Sequence, residues 1–269
     1  MHYRLKKGWF LFPLSVVVLA ALVLGGCQSL SGSITEGGST SVEPLARKWA
    51  GAFEILNQGV TVTIQGGGSS AGVKGTAEGL FDIGAASREL KDSETDKWPT
   101  LVTHHIAIDG VAIVVHPSNT SITDLTLEQI RDIFATGSND TWTVINREGG
   151  SGTRECFENK VMADTEVSLN AEFFPSNGAV KQKVASTANA IGYISMGYVD
   201  ETVKALSIDG VAGTEANVLS EIYPIWRYLN FITDGQPEGL TKEFIDWCLT
   251  EEAQAIAENE GFTSILKKG

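Results

Sequence analysis

The chemistry this sequence can offer lies in four short clusters of Gly, Ser and Thr. They are Gly37-Gly38-Ser39-Thr40-Ser41, Gly66-Gly67-Gly68-Ser69-Ser70, Gly84-Ala85-Ala86-Ser87-Arg88 and Arg147-Glu148-Gly149-Gly150-Ser151-Gly152-Thr153-Arg154. Three of the four open a stretch with helical periodicity. At a helix N-terminus the first-turn N–H groups lack partners and the dipole is positive, so an oxyanion fits there. Glycine lets the backbone approach a ligand closely and form a concave nest of amides. The hydroxyls add directed donors, and Arg147 adds a forked, charged one. A lone Ser or Thr before a helix is ordinarily an N-cap, and a Gly run after a strand is ordinarily a turn. Four such clusters, each at a strand end or a strand–helix junction, point together to one shared oxyanion site.

Catalytic and cofactor motifs that look close fail on inspection. Gly67 and Gly72 have P-loop spacing, but Val73 stands where the Lys belongs. Gly149-Gly150-Ser151-Gly152-Thr153 ends in Thr, where a nucleophile elbow needs Gly. An S-x-x-K motif ending at Lys74 would need Ser at position 71, which is Ala71. His104 and His105 are adjacent and point to opposite sides of a strand, a poor metal pair. They read, with His116, as structural or surface residues. No metal site and no cofactor is expected.

The elements that must position these clusters alternate. Strands are predicted at 60–65, 83–85, 105–116, 142–146, 190–194 and 222–231. Helices are predicted at 42–56, 70–78, 126–134, 152–161, 178–187 and 241–259. Such alternation implies an α/β fold of βαβ units with a mostly parallel sheet. The runs HIAIDGVAIVVH (105–116) and IYPIWRYLNF (222–231) are both long and apolar. If both cross between lobes, residues 39–115 with 225–269 form lobe one and 116–224 form lobe two. A two-strand hinge then joins them, with a cleft between.

The N-terminus stands apart. Arg4, Lys6 and Lys7 precede an apolar stretch from Trp9 to Leu24, which reads as a signal peptide over 1–26, with an uncleaved signal anchor as the alternative. Leu24-Gly25-Gly26-Cys27 looks like a lipobox, with Cys27 lipidated, and 27–38 reads as a polar Ser/Gly linker. The body is therefore expected outside the cytoplasmic membrane. The chain of 269 residues has a formal net charge of −13, which excludes non-specific nucleic-acid binding. Removing the leader takes away three basic residues and no acidic ones, which moves that charge to −16. Three Cys exclude a disulfide scaffold. Cys156 and Cys248 read as two buried thiols, with a pairing as the alternative.

The order GSTSVEPLARKW, QGGGSSAGVKG, DIGAASREL, NREGGSGTRECF and NGAVKQKVASTANAIGYISMGY resembles the phosphate-binding lipoproteins of high-affinity phosphate ABC transporters. The resemblance covers nearly all of the chain after residue 37. It implies a two-lobe periplasmic-binding-protein-like fold (type II) that closes on one dehydrated anion and delivers it to a membrane permease. By position it implies phosphate contacts from Thr40, Ser41, Ser69, Ser87, Arg147, Ser151, Gly152 and Thr153, with Ser39, Ser70 and Arg154 nearby. Ser87 falls where well-known members carry Asp, and Glu148 or Asp82 are the acceptors that could replace it. The chain is expected to be a lipid-anchored monomer and not an enzyme. A binding protein for sulfate, molybdate or tungstate, a secreted phosphohydrolase, and an adhesion or sensor protein are the alternatives.

Overall fold

A computed structural model describes residues 1–2 and 30–268. The expected leader and Cys27 lie outside the described residues, apart from residues 1–2. The strands are β1 (Ser31–Gly38), β2 (Gly59–Gly66), β3 (Ile83–Ala86), β4 (Leu101–Val115), β5 (Asp124–Leu125), β6 (Thr143–Arg147), β7 (Glu172–Phe174), β8 (Ala190–Ser195), β9 (Lys204–Ala205), β10 (Ser207–Ile208), β11 (Trp226–Asp234) and β12 (Thr263–Ser264). The helices are α1 (Glu43–Leu56), α2 (Ser69–Ala77), α3 (Asp92–Lys97), α4 (Leu127–Thr136), α5 (Gly152–Phe157), α6 (Asn177–Ala185), α7 (Glu215–Leu219), α8 (Gly239–Cys248) and α9 (Glu251–Asn259). A single hydrogen-bonded path of strands runs β2-β1-β3-β11-β4-β8-β6-β7, with β9 and β12 also on β4.

The expected linker is corrected: residues 31–38 form β1, a strand between β2 and β3, parallel to both. Its polar Ser/Gly composition hid the strand, and tertiary contacts explain the glycines. A Cβ on Gly37 would stand 2.4 Å from the Phe81 ring. One on Gly38, where φ is +138°, would stand 2.4 Å from the Ala85 carbonyl oxygen and 2.7 Å from Gly72 Cα. These glycines are a packing requirement, not a sign of flexibility.

The mostly parallel sheet is also corrected. The pairs β1–β2, β1–β3, β6–β7 and β6–β8 are parallel. The long β4 and β11 run antiparallel to each other, and β11 to β3 and β4 to β8. Both therefore pass between two cores. Ile106, Ala107, Leu229 and Phe231 belong to a first core with Ile34, Trp49 and Phe244. Ile108, Val111 and Ile225 belong to a second with Phe134, Phe157 and Tyr193. The β4 crossing falls between adjacent residues, Ala107 and Ile108. Cys248 lies in the first core and Cys156 in the second, and both thiols are free. Their pairing is ruled out by that separation.

Local rules explain the helix boundaries. Helix α1 has Pro44 in its first turn and buries Leu45, Ala46, Trp49, Ala50 and Phe53 along one stripe. The helix expected over 241–259 is broken into α8 and α9. Thr250 caps the second by accepting from Ala253 N, and Glu251 and Glu252 follow in the first turn. The helix expected over 152–161 is α5 continued by a π-helical turn at Glu158–Met162. The strand expected from 222 starts at Trp226, beyond Pro224, which has no N–H to give a ladder. No helix among the described residues is long and apolar enough to cross a membrane.

One side chain of β1 is an energetic liability. Glu36, in the middle of β1, is 1% exposed, and neither carboxylate oxygen has a hydrogen-bond partner. Burial pushes its pKa well above the usual value, Glu43 adds to the shift and Arg47 opposes it. In the unfolded chain the group titrates near about pH 4.3. Between that pH and the raised folded value, the folded state holds a proton that the unfolded state has lost. Stability from this group therefore falls as pH rises through that window. Glu36→Met should stabilise the protein by about 1–3 kcal/mol at pH near 8, the usual desolvation cost of a buried polar group left without a partner. The gain should shrink toward about pH 4, where the carboxyl is protonated in both states. Urea unfolding of both proteins across pH checks this; a pH-independent difference would show that Glu36 does not titrate on unfolding.

Candidate functional site

The four helices α1, α2, α5 and α6 bring their N-termini to the seam between the two cores. The first cluster ends β1 and leads into α1. Ser39 N donates to the Ala85 carbonyl at 2.9 Å, which ties this turn to β3. Ser39 Oγ accepts from Ser41 N at 3.2 Å, so this hydroxyl closes the turn. Thr40 and Ser41 are buried just ahead of α1. The second cluster follows β2. Gly67 and Gly68 have φ of +150° and +90°, and the turn they form sets Ser69 in the first turn of α2. The third cluster ends β3: Ser87 N donates to Ser69 Oγ at 3.1 Å, and the two hydroxyls lie 3.3 Å apart.

The fourth cluster faces these from the second core. Arg147 ends β6 and is 1% exposed. Its Nε and Nη2 donate to the two carboxylate oxygens of Glu148, each at 2.9 Å. Its Nη2 also reaches Thr40 Oγ1 at 3.3 Å, across the seam. Its Nη1 is buried with no hydrogen-bond partner. Ser151 caps α5 by accepting from Arg154 N at 3.2 Å, and Gly152 and Thr153 form the first turn. A Cβ on Gly152 would lie 2.3 Å from Ser69 Oγ and 2.7 Å from Ser87 Oγ, so only glycine permits this approach. Ser70 N donates to the Gly150 carbonyl at 3.1 Å, another bond across the seam.

Two residues that sequence reasoning missed complete the cluster. Asn177, in the first turn of α6, donates through Nδ2 to Ser41 Oγ at 2.9 Å and to Thr40 Oγ1 at 3.3 Å. Ser195 N donates to Asn177 Oδ1 at 3.1 Å, which orients that amide. Arg227, in β11, donates through Nη2 to Ser41 Oγ at 2.9 Å. Asp109 in β4 accepts from Arg227 Nη2 at 2.7 Å and Nε at 3.1 Å, and from Ser195 Oγ at 3.0 Å. Burial raises the Asp109 pKa, against the opposing pull of Arg227. Arg227 Nη1 is a second buried donor without a partner. For Arg227 the signal was present: it and Asp109 are lone charges in apolar strands, and a buried charge requires an opposite one; the uncharged Asn177 gave no such signal.

The donor directions follow from counting lone pairs. Ser41 Oγ accepts from both Asn177 and Arg227, so its own proton goes to Thr153 Oγ1, 2.9 Å away. Thr153 then keeps its hydroxyl proton for a ligand. Thr40 Oγ1 accepts from Arg147 and Asn177, and its proton is likewise left over. Tyr198 Oη donates to the Thr40 carbonyl at 2.6 Å, and burial pushes its pKa up to about 12, so it stays a donor. Each guanidinium is matched by a carboxylate. The surplus positive character therefore comes from helix N-termini, the spare hydroxyl protons and the two Nη1 groups, an arrangement suited to an oxyanion.

The structure brings Thr40, Ser41, Ser69, Ser87, Arg147, Gly152 and Thr153 together. Ser151 sits with them, but its hydroxyl is used as the helix cap. Ser70 Oγ is turned to Arg88, which donates to it at 3.1 Å. Arg154 braces the backbone, donating to the Arg147 carbonyl at 3.1 Å, and pairs with Glu158. Asp82 is remote: it accepts from Thr35 N at 2.7 Å, so it cannot replace an acceptor at Ser87. Glu148 touches the cluster through Arg147. His104 and His105 bond Thr233 Oγ1 and Asn230 Oδ1, away from the cluster. Among the described residues no group of three or more His, Cys, Asp or Glu side chains could hold a metal ion.

Comparison with known proteins follows the same lines. A family profile described as a PBP superfamily domain matches residues 27–252. The phosphate-binding protein PstS of Bacillus subtilis is 33% identical over 252 residues, which is 89% of this chain and 83% of that protein. A Clostridium perfringens structure described as a phosphate ABC transporter substrate-binding protein with bound phosphate superposes with a TM-score of 0.81. It is 38% identical and covers 87% of this chain and 100% of its own. An ABC-type phosphate transport receptor from Vibrio cholerae superposes with a TM-score of 0.69 at 33% identity, over 86% and 99% of the two chains.

Proposed function

The chain belongs to the PBP superfamily, and within it to the PstS-type phosphate-binding proteins, and from that membership we propose that it captures inorganic phosphate between its two cores for a membrane ABC importer. The observation that carries this reading is the pair of buried, unpartnered donors, Arg147 Nη1 and Arg227 Nη1, beside the hydroxyls of Thr40, Ser41 and Thr153. A buried donor without a partner costs about 1–3 kcal/mol, and more for a charged group. An anion seated at these hydroxyls and accepting from Arg147 Nη1 removes that cost at Arg147. The proposed contacts are Thr40, Ser41, Ser69, Ser87, Arg147, Gly152, Thr153 and the backbone at Ser151, with Asn177 and Arg227 orienting the hydroxyls.

The two cores move the expected lobe bounds: lobe one, up to Ala107 and from Leu229, and lobe two, from Ile108 to Tyr228, would open and close about β4 and β11, releasing the ion to a permease. The protein works without turnover, as a monomer outside the cytoplasmic membrane, held there by a lipid on Cys27. The small residues before Cys27 support that anchor, and absence of turnover is tested with a chromogenic phosphoester.

Calorimetric titration of anion-stripped protein with phosphate, sulfate and molybdate is the direct test. Phosphate should bind far more tightly than sulfate. The hydroxyl oxygens of Ser69 and Ser87 can accept the proton of hydrogen phosphate, whereas fully ionised sulfate leaves an acceptor unmatched. Tighter binding of sulfate or molybdate would replace the phosphate assignment with another oxyanion and leave the cleft intact.

A further inference from the structure

A cavity of about 310 Å³ adjoins the anion cluster. Two residues belong to both: Ser87 and Arg227 line the cavity, and both touch the hydroxyl cluster. Arg227 has a 5% exposed side chain, and its Nη1 has no partner. The rest of the lining carries charged groups, Arg88, Glu155 and Lys160 among them, beside an apolar part. Leu90, Trp226 and Tyr228 give it an apolar, aromatic face. That face is held in place, because Trp226 and Tyr228 meet edge to face at 5.6 Å and His105 stacks on Tyr228 at 4.2 Å. The mouth reaches solvent at Glu89 and Lys91, whose side chains are 59% and 44% exposed.

Size and lining fit a small organic group. Pockets that take such groups are mostly apolar with a few placed polar atoms, and about 300 Å³ is the lower end of their range. Ser87 belongs to both the anion cluster and the cavity lining, and its side chain is short. Its hydroxyl can donate to a bridging ester oxygen as readily as it can accept from a protonated one, and it carries no charge to repel either. We propose that this cavity is a subsite for the organic substituent of a phosphate monoester, so that the cleft takes such esters as well as the free anion. The phosphoryl oxygens occupy the donor cluster, the ester oxygen lies at Ser87, and the substituent lies against Trp226 and Tyr228. This rests on the phosphate reading above.

The test is competition between radiolabelled inorganic phosphate and phenyl phosphate on the purified full-length protein, with two variants that fill the cavity without touching the anion cluster. Asn159→Trp changes an exposed residue on the cavity wall, and Leu90→Trp changes a half-buried one at its rim. Phenyl phosphate should displace phosphate saturably and without being hydrolysed. Each variant should keep its phosphate affinity and lose roughly tenfold or more for phenyl phosphate, the weight of one or two misplaced carbon groups in a pocket. Phosphate binding with no displacement by phenyl phosphate overturns the subsite and leaves the phosphate reading standing. Equal displacement in parent and both variants also overturns it, because the substituent would then lie elsewhere. Binding of neither ligand overturns both readings.

Discussion

Arg147→Met should weaken phosphate binding by about 30-fold to several thousandfold, the effect of removing one partner from a buried, hydrogen-bonded charge contact. Three consequences of the geometry add up here. The orphaned Nη1 donor is lost. The bond from Nη2 to Thr40 Oγ1 across the seam is lost with it. Glu148, which both Nε and Nη2 hold, is left as an unpaired carboxylate beside the anion. The last effect can be separated from the others. In Arg147→Met with Glu148→Gln the repulsion disappears, so the double variant should bind more tightly than the single one. Calorimetry on the parent, both singles and the double variant measures the coupling. A double variant weaker than Arg147→Met would mean that Glu148 contributes directly, as the acceptor of the phosphate proton.

The second large effect is on stability. Asp109→Leu should destabilise the folded protein by about 3–5 kcal/mol, because it strands the Arg227 charge in the interior. Arg227 is 6% exposed and has only Asp109 as an ion-pair partner among the described residues. The converse replacement, Arg227→Met, leaves Asp109 with Ser195 Oγ and Met196 N, and should cost less. Replacing both together should recover most of the loss, since well-packed apolar groups often substitute for a buried pair at little cost. Phosphate affinity should not recover in the double variant. Arg227 Nη2 holds Ser41 Oγ as an acceptor, and that bond directs the Ser41 proton to Thr153. Chemical unfolding and phosphate titration on the same three variants give both readouts. Recovery of affinity along with stability would show that the pair serves only the fold.

By itself the sequence determined the parts governed by neighbours along the chain. Strand and helix alternation is set by periodicity, and the four clusters are set by turn and cap chemistry within a few residues, so both were legible. Their coincidence also pointed to an oxyanion, because every cluster offers the same kind of donor. The errors arose where distant contacts reverse a local preference. Ser31–Gly38 has linker composition, yet it is a strand between two others, and its glycines answer to Phe81, Ala85 and Gly72. The direction of β11 beside β4 is decided by pairing between segments more than a hundred residues apart, which no periodicity records.

The site divides in the same way. Thr40, Ser69 and Thr153 could be named from turn and cap chemistry at their own helix starts, together with the family resemblance. Which hydroxyl donates and which accepts could not. That depends on Asn177 and Arg227, which lie 136 and 186 residues from Ser41. Proton direction in a hydroxyl cluster is a property of the closed network of bonds, and only the tertiary structure closes it. The cavity beyond Ser87 is likewise a product of packing. Its walls come from residues after β3, in α5 and at the start of β11, which the chain brings together only when the two cores meet.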